Sequence, residues 1–367
     1  LMTFGMMTLT PDSEDAYLTD IAQSAKAFEI DCFRFIPTQI NPYSQQVHGK
    51  KFNALTNQWV EDEFPIPAIL YDRCFYGDDE HSKQCLPIVS WLKSRNDITF
   101  LGYGLPNKLE LYYALRESIL SPYLPPTLPA SDTDIILKEL EETKKIILKP
   151  INGARGNGIY YLKKNNHTFH VKTEKQKQII SRIFPNKVKL LSWLKPLITT
   201  RKYLLQPYLE LYNHDLRPFD IRLLLQKDEQ GNWVERGRGI RFGNTGGILS
   251  NLSAGGTATA FHKWAASLSP AAAEHIRSEI DFIVSKLPAL LENKFLPLFE
   301  LGVDIGIHKN GSIWILDLNS KPGRKVLLQT TPEIKETLIR APLLYAKQLL
   351  GAKQHERKSL YEKTLSH

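Results

Sequence analysis

The chain has 367 residues, 42% hydrophobic and 23% charged, with a formal net charge of +8. That length suffices for two or three domains with ordinary cores, and that balance excludes a disordered chain. No stretch approaches the roughly 18 consecutive apolar residues of a transmembrane helix, which sets a transmembrane segment aside.

Residues 1–11 are apolar but lack a basic flank, and Asp12, Glu14 and Asp15 follow at once. They read as a buried first strand rather than a signal peptide. Helical periodicity covers residues 16–28, and residues 68–71 and 98–103 are short apolar strands. Alternation of this kind predicts a small α/β domain with a parallel sheet over residues 1–103. Cys32, Cys74 and Cys85 are odd in number and lack C-x-x-C spacing, so they read as reduced thiols of a cytoplasmic protein.

A Gly/Pro break at residues 103–106 opens a second unit, residues 104–350. A helix is expected from Lys108 to about residue 119, then an extended linker marked by Pro122, Pro125, Pro126 and Pro129. Strands follow at 146–150 and 158–163, helices at 174–184 and within 187–197, and a strand at 203–209. Two hairpins are expected, 220–228 with 233–241 and 300–308 with 312–318, the second turning on Lys309-Asn310-Gly311. A long amphipathic helix, about 270–295, lies between them. Helices run to about 350, and residues 351–367 form a charged tail.

Positive charge is concentrated. Residues 151–202 hold twelve Lys/Arg against one acid, Glu174. Such a field attracts polyanions, including a nucleotide triphosphate, although a solvated face gives the same count. No nucleic-acid motif accompanies the stretch and stacking aromatics are not interleaved, so a nucleic-acid partner is set aside.

The peptide Asn152-Gly153-Ala154-Arg155-Gly156-Asn157-Gly158 lies between two strands, so it fits neither a Rossmann fingerprint nor a P-loop, each of which opens a helix. What remains is a hairpin loop, either a plain turn or one whose N–H groups fold over phosphates. Lys149 ends the apolar run just before it, where an ammonium can hold a phosphate or snorkel at a sheet edge. Lys108, at a helix start that the dipole disfavours for a cation, also suggests an anionic partner. In the last hairpin Asp317 and Asn319 share a face, and Asp304 falls opposite or next to Asp317. Three oxygen donors among Ile, Leu and Trp suit Mg²⁺, although a surface hairpin with ordinary polar faces offers the same residues. Asp220 and Arg222 share a strand face, and the small-residue loop from Asn251 to Gly256 permits close backbone approach to a ligand.

The order Lys108, Lys149 with its glycine loop, strand Leu204-Leu205-Gln206-Pro207-Tyr208-Leu209, Asp304, and Asp317-x-Asn319 resembles the ATP-grasp superfamily. Residues 59–73, 220–226, 251–256 and 317–323 are more narrowly similar to the YheC/YheD family of spore-coat-associated ATP-grasp proteins. The resemblance implies an α/β (α+β) ATP-grasp fold behind a small pre-ATP-grasp domain, with a basic lid at about 146–209. It implies ATP and Mg²⁺ as cofactors. Lys108 and Lys149 would then hold phosphates under a cover of Gly153, Arg155, Gly156 and Gly158. Gln206, Pro207, Tyr208 and Leu209 would line adenine, and Arg222 and Asn251 would face the γ-phosphate or an acyl phosphate. Asp304, Asp317 and Asn319 would hold the metal. Two departures stand out: Asp317 where glutamate is commoner, and Gln206 where an acid often receives the adenine amino group. The implied activity is a carboxylate–amine ligation through an acyl phosphate, the carboxylate and amine coming from an amino acid, peptide or protein tail. The alternative is a degenerate nucleotide-binding protein with a structural or assembly role in the spore coat of a spore-forming bacterium.

Overall fold

A computed structural model describes residues 2–153, 156–175, 178–248, 250 and 255–365, side chains being described only as far as residue 352. Three sheets carry the architecture. The first contains β1 (Met2–Met7), β2 (Ile30–Phe35), β3 (Gln46–Asn53), β4 (Gln58–Pro65), β5 (Ile69–Asp72) and β6 (Thr99–Phe100), in the order β4-β3-β2-β1-β5-β6. Strands β2, β1, β5 and β6 run parallel, and the β3–β4 hairpin extends one edge antiparallel. A parallel core must be covered on both faces. Phe4, Met6, Ile69 and Tyr71 face one side, where they pack with Leu18 and Ile21 of α1 (Asp15–Ala25). Met7, Phe35 and Leu70 face the other, against Val89 and Leu92 of α2 (Glu80–Ser94).

After α3 (Lys108–Leu115), the second sheet gathers β7 (Leu128–Pro129), β8 (Lys145–Pro150), β9 (Tyr160–Asn165), β10 (Thr168–Lys175), β11 (Gln178–Phe184) and β12 (Tyr203–Pro207). Its order is β11-β10-β9-β8-β12-β7, antiparallel throughout. Period-two alternation sends Ile146, Leu148, Leu162, Phe169 and Val171 to a core shared with α4 (Thr133–Thr143) and α5 (Lys187–Thr200). Ile147, Lys149 and Tyr161 therefore point the other way. The helix expected at 174–184 is instead strand: β11 pairs with β10 from Lys175↔Gln178 to Phe169↔Phe184. Three isoleucines in that run lose rotamer freedom in a helix and gain contacts on a pleated surface. The proline segment is not uniformly extended, since a 3₁₀ turn occupies Ser121–Tyr123 before β7.

The third sheet, order β15-β14-β13-β16-β17, holds β13 (Phe219–Lys227), β14 (Trp233–Phe242), β15 (Thr257–Ala260), β16 (Glu300–Ile307) and β17 (Ile313–Asn319). Ile221, Leu223, Val303 and Ile305 pack on Ile276, Ile280 and Ile283 of α7 (Pro270–Glu292), which follows the short α6 (Phe261–Ala265). The intervening residues, Asp220, Arg222 and Asp304, face away from that core. The chain then runs through α8 (Lys325–Thr330) to α9 (Lys335–Leu365), whose Ile339, Leu343 and Tyr345 return to the first sheet's core. No described helix is long and apolar enough to cross a membrane.

Candidate active site

The polar faces of the second and third sheets enclose a cleft of about 500 Å³. A β-bulge sets its floor. Counting back from the Lys309-Asn310-Gly311 turn would seat Asp304 opposite Leu316, but an irregularity between Asp304 and Ile305 pairs Asp304 with Asp317. On β17 the buried positions are Ile313, Ile315 and then Leu318. The extra residue thus reverses the pleat, so that Asp317 and Asn319 line the cleft. A second bulge, between Leu224 and Leu225, shifts β14 and brings Arg241 rather than Ile240 opposite Asp220.

The result is a row of alternating charge. Arg241 Nε donates to Asp220 Oδ1 at 2.6 Å, and its Nη2 lies 2.9 Å from Asp304 Oδ2. Arg222 Nε lies 2.7 Å from Asp304 Oδ1, and its Nη2 donates to Oδ2 at 3.2 Å. Ser250 Oγ donates to Asp220. Burial alone would raise the Asp304 carboxyl, but Arg222 and Arg241 override it and hold its pKa below the ordinary range. Gly302 makes room for this row: a Cβ there would stand 2.9 Å from Arg222 Nη1 and 2.7 Å from Pro322 Cβ.

Lys108 enters from the first turn of α3, capped by Asn107, and donates to Asp317 Oδ1. Lys149 reaches the same floor, with Nζ 3.5 Å from Leu316 O. Desolvation in the cleft, with Lys108 nearby, outweighs the pull of Asp317 and lowers the Lys149 pKa to about 8. At the far end Gln206 lines the cleft with Pro207, Tyr208 and Leu209. Thr127 Oγ1 spends its hydrogen on Pro125 O at 2.8 Å, so it accepts from Gln206 Nε2, also at 2.8 Å. That contact orients the amide and turns the Gln206 carbonyl oxygen outward as an acceptor. The Tyr208 ring packs against Tyr161, with centroids 4.5 Å apart and planes tilted by 59°.

Of the residues expected from sequence, Lys108, Lys149, Gly153, Gly156, the segment Gln206 to Leu209, Arg222, Asp304, Asp317 and Asn319 line one cleft. Gly158 does not; it lies beside Arg201 and Tyr203 at a φ of 76°. Arg155 and Asn251 lie outside the described residues. Arg241, Lys321 and Glu14 were not expected in the lining. Arg241 was hidden by the bulge that shifts its register. Glu14 follows from tertiary placement: it is gripped by Arg73 and Arg324, which tie the first sheet to the segment after β17.

Mg²⁺ can be tested against this donor set. Among the described residues no group of three or more His, Cys, Asp or Glu could hold a metal ion. Two adjacent carboxylates and one amide instead match a magnesium site completed by phosphate and water. For such a site Lys108 has to release an Asp317 oxygen.

Proteins of known structure share this architecture. The ATP-grasp ligase PsnB, complexed with minimal precursor, Mg and ADP, superposes at a TM-score of 0.52 with 15% identity, covering 94% of this chain and 98% of PsnB. D-alanyl-alanine synthetase A from Vibrio cholerae O1 biovar eltor str. N16961 gives 0.55 at 13% identity, covering 94% and 98%. The fold is the ATP-grasp fold. Residues 97–349 match the family described as YheC/D like ATP-grasp. The endospore coat-associated protein YheC of Bacillus subtilis (strain 168) is 38% identical over 348 residues, 94% of each chain. This chain belongs to the YheC/D-like ATP-grasp family.

Proposed function

We propose that the chain is an ATP-dependent carboxylate–amine ligase that works through an acyl phosphate. The observation that carries the reading is the convergence of Lys108, Lys149, Gln206, Arg222, Asp304, Asp317 and Asn319 on one cleft. Residues 1–103 act as the pre-ATP-grasp domain and 104–350 as the catalytic unit, with a lid at about 146–209. The Gln206 carbonyl accepts from the adenine amino group, and the aromatic wall of Tyr208 stacks beside the ring. Lys149 and Lys108 hold phosphate oxygens, and Gly153 and Gly156 let backbone approach them; Arg155 would join this cover. Asp304, Asp317 and Asn319 would hold Mg²⁺, which when bound supplies charge neutralisation at the phosphates.

In the reaction a substrate carboxylate oxygen attacks the γ-phosphorus. The bond from that phosphorus to the bridging oxygen breaks, and ADP leaves. An amine then attacks the acyl carbon, the carbon–oxygen bond to phosphate breaks, and the nitrogen gives a proton to solvent. Arg222, aligned by Asp304 through Nε and Nη2, would offer its remaining guanidinium donors to the transferring group, and Asn251 would add a side-chain amide; positioning and electrostatics supply the rate.

The scaffold reading keeps one observation in its favour: Asp304 and Asp317 are already neutralised by Arg222, Arg241 and Lys108. The relative's spore-coat association suits either reading. Offering ATP, magnesium and panels of amino acids and coat peptides, with mass spectrometry of products, separates them. Amide formation matched by ADP supports the ligase. ATP binding without cleavage under any pairing supports the scaffold.

A further inference from the structure

We propose that the outer edge of the second sheet is a docking strand for an extended acidic polypeptide. Among the described residues strand β11 closes that sheet and pairs only with β10, so alternate residues turn backbone N–H and C=O groups outward. Natural edges are commonly blunted by proline or inward charge. This one instead exposes Ile183 at 62% and Ile179 at 41%, with Val188 at 69% where α5 begins. Exposed aliphatic side chains along an unpaired edge mark a place where another chain adds a strand.

Charge identifies the occupant. Among the described residues Lys172, Lys175, Arg182, Lys187 and Lys189 make no ion pair, and all lie on β11 itself, on β10 beside it or on α5, which follows it. A second copy of the chain would set these cations against one another. Nucleic acid would satisfy the charge but leave the aliphatic row and the backbone groups unused. An extended acidic peptide uses all three.

The location also matters. Cross-strand neighbours run Ile147, Tyr161, Lys172, Ser181 from cleft to edge. The face that lines the cleft is therefore continuous with the face that carries Ile179 and Ile183. A peptide seated on β11 lies on the same surface as the nucleotide site, and its glutamate or aspartate carboxylates are of the class the ligase would activate. That last step rests on the function proposed above; the docking itself does not.

The test uses the whole chain and short synthetic peptides capped at both ends, followed by fluorescence anisotropy. A peptide alternating glutamate and valine should bind. Alternating lysine and valine should not. A glutamate–proline peptide, which keeps the charge but lacks every second N–H, should bind at least about tenfold more weakly. Ile179→Ser with Ile183→Ser should weaken the glutamate–valine peptide by about tenfold while ATP affinity stays within about twofold. Equal binding of the proline peptide, preference for a thymidine oligonucleotide, or a dimer abolished by Ile183→Ser would overturn the proposal. Peptide binding without any ATP turnover would leave docking standing and defeat only the substrate step.

Discussion

The floor of the cleft and the sheet above it solve opposite problems with the same residue types. On the floor, Asp220, Arg222, Arg241 and Asp304 neutralise one another, and Lys108 neutralises Asp317. On the overlying sheet most cations among the described residues have no acidic partner, and the only acid in residues 151–202, Glu174, accepts from the backbone N–H of Ile248. Paired charges hold their geometry and contribute little net field. Unpaired ones contribute field and little geometry. The floor therefore positions, while Lys149 and the sheet above attract.

The largest effect should come from breaking the floor. Asp304→Ala leaves Arg222 and Arg241 buried without their shared partner, which should cost about 3–5 kcal/mol in denaturant unfolding. A loss below about 1 kcal/mol would show that the row is not electrostatically interlocked.

Arg222→Lys keeps the charge and loses the fork. Turnover with the productive substrate pair should fall about a hundredfold, with ATP affinity nearly unchanged by calorimetry. An unchanged rate would remove Arg222 from the transferring group.

Lys149 gives the cleft a pH dependence. Its folded pKa lies below the usual lysine value, at about 8, because burial disfavours the charge, so without nucleotide its positive charge is lost as pH rises through 8. Bound phosphates favour the charged form, so ATP binding should take up a proton above pH 8, and affinity should fall about tenfold between pH 7 and 9. Calorimetry in buffers of different ionisation enthalpy reads the uptake directly. Lys149→Met should bind ATP more weakly and lose this pH dependence.

The smallest effect belongs to the sheet above. Lys172→Ser removes a cation with no ion-pair partner and should change stability by no more than about 0.5 kcal/mol in thermal melts. A larger loss would mean that the basic surface is structural after all.

Much of the fold was legible because its signals are local. The Asn310-Gly311 turn and the alternation in β16 and β17 marked the last hairpin, and apolar periodicity marked α7. Helix 174–184 misled because Glu174, Lys175 and the following isoleucines show no strict period two; only pairing with β10 makes them strand. Lys149, Asp304 and Asp317 were legible for a different reason: a lysine or aspartate interrupting an apolar strand needs an explanation. Arg241 was not, since a bulge is a one-residue event that turn counting passes over. Glu14 was not, because its place in the cleft depends on Arg73 and Arg324 meeting from segments far apart in the chain.

If the β16–β17 hairpin holds magnesium for a bound nucleotide, calorimetric titration of ATP with and without magnesium, on the wild type and on Asp317→Ala with Asn319→Ala, will show it. Magnesium should strengthen ATP binding to the wild type and add little in the double variant, whose magnesium-free affinity persists. An equal magnesium increment in both proteins would remove the hairpin from the metal site.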